Sequence, residues 1–160
     1  MSTGEKAAQA KELYRAVIDS QGASDGWHVN RALVSLAARE CLEGAFPACV
    51  QNFARTIELT FAYPESFRSQ YQQDTWRQLL SAAAAAQQSG RAARFVESAE
   101  AAASKQLESA ATLLVLAVAS ATACRHDAPG AAYRHATSLN AAARVFTDQV
   151  ECAAGDLTLE

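Results

Sequence analysis

At 160 residues, half of them hydrophobic and 19% charged, the chain is long enough to bury a core of its own without help from a metal or a disulfide. Its composition is that of a globular protein and not a disordered one. The net charge of −3 comes without any cluster of Lys or Arg. A nucleic-acid partner needs several clustered cations to neutralise phosphates, and Arg39 with Arg55, or Arg91 with Arg94, are too sparse for that.

Alanine dominates, with only 7 glycines and 3 prolines. Alanine is the best helix former, and glycine and proline are the worst. An all-α chain of short-looped helices is therefore expected. The first helix is predicted from Glu5 to Gln21, where Ala10, Leu13, Tyr14, Val17 and Ile18 recur at helical spacing. Gly22 to Gly26 reads as a turn with Ser24 and Asp25 as caps. A second helix runs from Trp27 to Glu43, ended by Gly44, which accepts the left-handed conformation that closes many helices.

Pro47 opens a third helix, at a place where its missing N–H costs nothing. Val50, Phe53, Ala54, Ile57 and Phe61 form its inward stripe to about Ala62. Pro64 breaks the pattern, and the polar stretch Glu65–Gln73 reads as a loop or a poor helical turn. Asp74 is the expected cap of a fourth helix through Gln88, with Trp76, Leu79, Leu80 and Ala83 inward. Ser89-Gly90 is a turn, and Arg91–Ser104 a fifth helix.

Leu107–Arg125 is predicted as the sixth helix. It is apolar nearly all round from Leu113 to Ala119, the mark of a central helix. Asp127–Gly130 carries a strong turn signal. The last helix is expected to reach Cys152, with 1–154 one helical domain and 155–160 a frayed tail. No stretch alternates with period two. The result is an antiparallel bundle of about seven helices. Gly44, Gly90 and Gly130 recur at the spacing of HEAT-type helical pairs. Their flanks do not match, so a short closed stack of hairpins is expected in place of a solenoid.

The apolar run Ala110–Ala119 is about half of what a membrane span needs. The opening Met1–Lys6 lacks the apolar core of a signal peptide. A cytoplasmic protein with no membrane partner is expected. In that setting Cys41, Cys49, Cys124 and Cys152 read as free, buried thiols.

Chemistry-bearing patterns are sparse. No P-loop, dinucleotide glycine fingerprint, nucleophile elbow or Glu-x-x-His pair occurs, so no catalytic residue, cofactor or metal is assigned. The densest polar cluster is Arg125, His126 and Asp127 beside Cys124, with Tyr133 and His135 just beyond. Its spacing matches no zinc pattern. Charge at a helix C-terminus explains Arg125 and His126 as well. With Glu40, this cluster would line any ligand pocket between hairpins. Trp27 with His28, and Phe67 with Tyr71, are the candidate partner contacts, because aromatics among polar residues suit recognition surfaces.

Two segments carry a resemblance. Arg31–Phe46 (RALVSLAARECLEGAF) resembles the opening helix and glycine turn of helical immunity proteins from bacterial toxin systems. Ala117–Ala136, with its ATACRHDAPGAAY core, is similar to their alanine-rich stretch around a His-Ala pair. Together the two cover about a quarter of the chain. The resemblance implies a small cytosolic, bacterial, all-helical protein that binds and blocks a partner protein, and it carries no residue roles. Two functions are therefore expected. The first is an interaction module binding another protein or itself, as in a homodimer. The alternative is a small-molecule-binding domain or enzyme with a pocket between hairpins.

Overall fold

A computed structural model describes residues 2–20, 26–62 and 65–159. Among them are seven α-helices: α1 (Thr3–Ser20), α2 (Gly26–Leu42), α3 (Phe46–Phe61), α4 (Glu65–Gln88), α5 (Ala92–Lys105), α6 (Ala110–Thr122) and α7 (Ala128–Leu139). A 3-10 helix, Ala141–Val145, and a two-stranded hairpin, β1 (Gln149–Cys152) and β2 (Gly155–Thr158), complete the chain. The protein is all-α apart from this small hairpin. Of the turn expected at Gly22–Gly26, residues 22–25 lie outside the described residues, and Gly26 is the first residue of α2.

α2 packs on α3 and α6 on α7, with α1 on α2; α4 and α5 follow one another across the Gly90 turn but pack mainly on other helices, α4 on α2 and α3, and α5 on α6 and α3. Three like turns create this order. After α2, the Gly44 amide donates to the Cys41 carbonyl and the Ala45 amide to that of Glu40. After α4, Gly90 and Arg91 donate likewise to Gln87 and Ala86. Both are Schellman closures, with φ +81° at Gly44 and +74° at Gly90. After α6 the same pair of bonds joins Cys124 to Ala121 and Arg125 to Ser120. There the left-handed residue is Cys124, at φ +60°. Gly130, expected to make this turn, instead lies in the first turn of α7.

The sixth helix is central, as its pattern predicts. Every residue of α6 except Leu116 is buried. It starts three residues later than expected, because the Ser109 hydroxyl accepts the Thr112 amide at 3.1 Å and caps it. α6 packs against α5 and α7 and also against α3. The first hairpin thus touches the third. Solenoid repeats contact only their neighbours, so the stack is closed. Phe46, Phe53, Ile57, Phe95, Val96, Leu114 and Phe146 fill its core.

Four expectations are corrected. First, of the two readings of Glu65–Gln73 the helical one holds: the stretch begins α4, and Asp74, expected as a cap, lies inside that helix. Among the described side chains at this end of α4, Gln72 and Thr75 are fully buried, and polar residues facing inward give no apolar periodicity. Second, the last helix ends at Leu139. Asn140 is extended, and its side chain accepts the Ala142 amide at 3.0 Å, restarting the chain as a 3-10 helix. Third, residues 155–158 do not fray. Val150 pairs with Leu157 across the hairpin, and Leu159 is fully buried. Four-residue strands joined by Ala153-Ala154 carry neither a long alternation nor a hairpin turn dipeptide.

Fourth, the cysteines are not free. Cys41–Cys49 and Cys124–Cys152 are bonded, with Cα separations of 5.2 and 5.5 Å, inside the usual disulfide range. The first bridges α2 and α3 across the Gly44 turn. The second ties the end of β1 to the end of α6.

Candidate functional site

α3 and α5 begin side by side. The rings of Phe46 and Phe95 stack at 5.5 Å, and the Arg94 guanidinium lies 5.5 Å over Phe46. From there the two helices flank an open groove of about 700 Å³. Its exposed apolar surface is Pro47, Ala101 and part of Ala102, with Val50 and Ala54 buried beneath, and Ser109 and Thr112 at the start of α6 close one end. On the α3 side stand Gln51, Arg55 and Glu58; on the α5 side, Glu97 and Lys105. These charged residues are exposed. None of the four has an ion-pair partner among the described residues. Small-ligand sites are mostly apolar and bury most of the ligand's surface, whereas this groove is open and carries charged residues on both sides.

A second cavity, of about 370 Å³, lies between α2 and α4, lined by Asn30, Arg31, Val34, Ser35 and Tyr71 among others. Behind it runs a buried polar seam. Asn30 is 5% exposed; its amide reaches Thr75 Oγ1 at 3.5 Å, and its Oδ1 accepts a hydrogen bond from Thr56 Oγ1. Buried polar groups of this kind are retained when they are paired. Gln72, also buried, has neither side-chain oxygen nor nitrogen bonded among the described residues. A third cavity, of about 360 Å³, lies where Trp76 meets Phe146, at 4.8 Å between rings, with Asp148 beside it.

The expected polar cluster is not brought together. Cys124 is consumed by its disulfide. Arg125 pairs with Glu100 of α5. His126 and Asp127 are exposed, and Asp127 makes no side-chain cap to α7. Tyr133 is buried and donates to the Arg144 carbonyl at 3.2 Å. His135, two residues on, faces solvent. No group of three or more metal-ligand side chains occurs among the described residues. None of the three cavities is lined by His126, Tyr133, His135 or Glu40.

Glu40 sits elsewhere, buried at the end of α2, where Asn52 Nδ2 donates to its Oε1 at 2.6 Å. Burial raises its pKa above the ordinary carboxyl value. The Asn52 bond and the charges of Arg15 and Lys11 partly counter that, while Glu43 adds to it. Lys11 itself pairs with Glu43 at 2.7 Å. This corner fastens α1 to the first hairpin.

Of the expected partner contacts, His28 is exposed on α2 and Tyr71 lines the α2/α4 cavity. Trp27 and Phe67 fall in the first turns of α2 and α4, and their side chains lie outside the described residues. The groove residues escaped sequence reasoning. Their signal is two mixed rows at helical spacing: Pro47, Gln51, Arg55 and Glu58 on α3, and Glu97, Ala101 and Lys105 on α5. Either row alone reads as a solvated face.

Comparison of the chain with protein-family models, characterised proteins and solved structures finds no match. Among the described residues no helix is long and apolar enough to cross a membrane.

Proposed function

We propose that this chain is a protein-interaction module of the immunity or adaptor kind, holding a partner in the groove between α3 and α5. One observation carries the reading: a half-open groove of about 700 Å³ with a small apolar floor and four charged side chains that lack ion-pair partners among the described residues. Charges left free at the edge of an apolar surface steer a partner and set its register. The alternative small-molecule reading loses the residues on which it rested. Glu40, His126, Tyr133 and His135 converge on none of the three cavities.

The cysteine pairs bear on where the module works. Two disulfides persist in oxidising compartments and are reduced in most cytosols. The proposal therefore places the folded chain in an oxidising compartment and sets aside the cytoplasmic location expected from sequence.

The test is site-specific photo-crosslinking in the source cells. A photoreactive residue at Ser98, in the groove, should give one discrete adduct. The same residue at Ser81, exposed on α4, should give none. Equal adducts at both positions, or none at Ser98, would remove the groove as the interaction site.

A further inference from the structure

We propose that the Cys124–Cys152 disulfide is a redox switch: it locks the hairpin of β1 and β2 onto α4 and α6, and its reduction by a dithiol releases the hairpin and uncovers that face. The switch stands apart from the groove between α3 and α5. The two disulfides of the chain sit in opposite settings. Cys41 and Cys49 are 4% and 0% exposed, which closes them to an attacking thiolate. Cys124 and Cys152 are only half-buried, and thiol–disulfide exchange depends on access to one of the sulfurs.

What this bond holds has little else to hold it. A two-stranded hairpin by itself is marginal in water, and these strands are four residues each. Val150 and Leu159 are its buried apolar residues, with Leu157 partly buried, and most of its other residues are exposed. Bond and hairpin form one unit: the Ala154 amide, in the turn between the strands, donates to Cys124 Sγ at 3.4 Å. Opening the bond therefore removes both the covalent tie and the sulfur that the turn is fitted to.

The docked form also carries features that release would relieve. Cys124, at φ +60°, is the one non-glycine residue with a positive φ among the described residues. A side chain disfavours that conformation, and such outliers persist where the surroundings over-determine them, switch regions included. The buried side-chain nitrogen and oxygen atoms that lack a partner among the described residues belong to Gln72 and Trp76 of α4 and Ser120 of α6. Those are the two helices on which β1 mainly packs. A buried polar atom without a partner is disfavoured, and water would supply one. Trp76 is best placed to gain it: it is 5% exposed, and its ring packs on Phe146, just before β1, at 4.8 Å. Apolar burial and the bond favour the closed form, while the backbone of Cys124 and the unpaired atoms favour the open one. A thiol–disulfide change acting on such a balanced element is a switch.

The exchange itself balances. A thiolate of the dithiol attacks one sulfur of the pair, the S–S bond breaks, and the other sulfur leaves as a thiolate and takes a proton from solvent. The dithiol's second thiol gives its proton to solvent and displaces the remaining cysteine from the mixed disulfide, and that cysteine is protonated in turn. Two cysteine thiols result, and the reductant departs as a disulfide.

Trp76 reports the switch in a Trp27→Phe background, where it is the sole tryptophan. The full chain is equilibrated across a series of reduced-to-oxidised dithiothreitol ratios, and each sample is divided for acrylamide quenching, circular dichroism and alkylation with mass spectrometry. Over the range in which Cys124 and Cys152 are alkylated and Cys41 and Cys49 are not, the quenching constant of Trp76 should rise several-fold with helix content retained, and return on reoxidation. The Cys124→Ser/Cys152→Ser variant should be quenched like the open form at every ratio. An unchanged quenching constant with Cys124 and Cys152 alkylated would mean that the hairpin stays docked without its bond, and overturns the switch. A rise that comes only once Cys41–Cys49 opens or helix content falls overturns it equally. Both adverse outcomes are read in the chain with all four cysteines, so neither depends on the folding of the serine variant.

Discussion

The turns after α2 and α6 have the same two backbone hydrogen bonds and opposite supports. At the first, Gly44 takes the left-handed conformation without cost, and the hairpin it closes buries Cys41, Cys49, Phe46 and Val50 almost completely. The disulfide there spans only 8 positions. At the second, Cys124 takes φ +60° against the preference of any residue with a Cβ. Its disulfide spans 28 positions and anchors the hairpin of β1 and β2, whose strands are four residues each and mostly exposed. A cross-link contributes most where the chain it ties has little core of its own. A strained backbone residue persists where its surroundings hold it.

The largest expected effect breaks this comparison at its disulfides. Cys124 and Cys152 are half-buried, whereas Cys41 and Cys49 are buried, so a reductant reaches the former pair first. Under mild dithiothreitol without denaturant, Cys124–Cys152 should open first. Stability should fall by about 3.5 kcal/mol from loop closure alone, against about 2.5 kcal/mol for the shorter loop. Alkylation with mass spectrometry gives the order, and hydrogen exchange should show lost protection confined to 149–159. Earlier opening of Cys41–Cys49, or loss spread over α2 and α3, would reverse the account of the two regions.

A smaller effect sharpens the backbone half of the comparison. In fully reduced protein, Cys124→Gly should stabilise the fold by about 1 kcal/mol, because glycine occupies the left-handed region freely. Gly44→Ala should destabilise by at least that much, since the added Cβ meets strain at φ +81° and lies 2.8 Å from the Arg91 guanidinium. Urea denaturation of both variants reads the signs. The same sign for the two would mean that the turns are not equivalent.

The smallest effect concerns Glu40 beside the Gly44 turn. Its pKa is raised in the fold, so the folded state binds the proton more tightly than the unfolded one does. Stability from this group is fully present below the ordinary carboxyl range and is lost as pH rises through the raised value. Glu40→Gln keeps an acceptor for Asn52 without the charge. It should melt at or above the wild-type temperature at pH 7, with the difference vanishing in acid. A variant that melts lower at pH 7 by calorimetry would show that Arg15 and Lys11 outweigh burial.

Periodicity and composition determined α1 to α7 in outline, because an inward stripe of Val50, Phe53 and Ile57, or an all-apolar run such as Leu113–Ala119, depends on local spacing alone. Gly44 and Gly90 likewise announced their turns through a conformation that only glycine adopts easily. Tertiary structure decided the rest. Gln72 and Thr75 of α4 face inward, and no hydropathy pattern can anticipate their burial. Asn140 reads as helix until its side chain caps the next segment. Leu157 and Leu159 gain their place through the pairing of β2 with β1 and packing on a distant core, neither of which a local pattern announces. The groove exists only because the outer rows of α3 and α5 come to lie side by side: a face is written in one helix, but a site needs two.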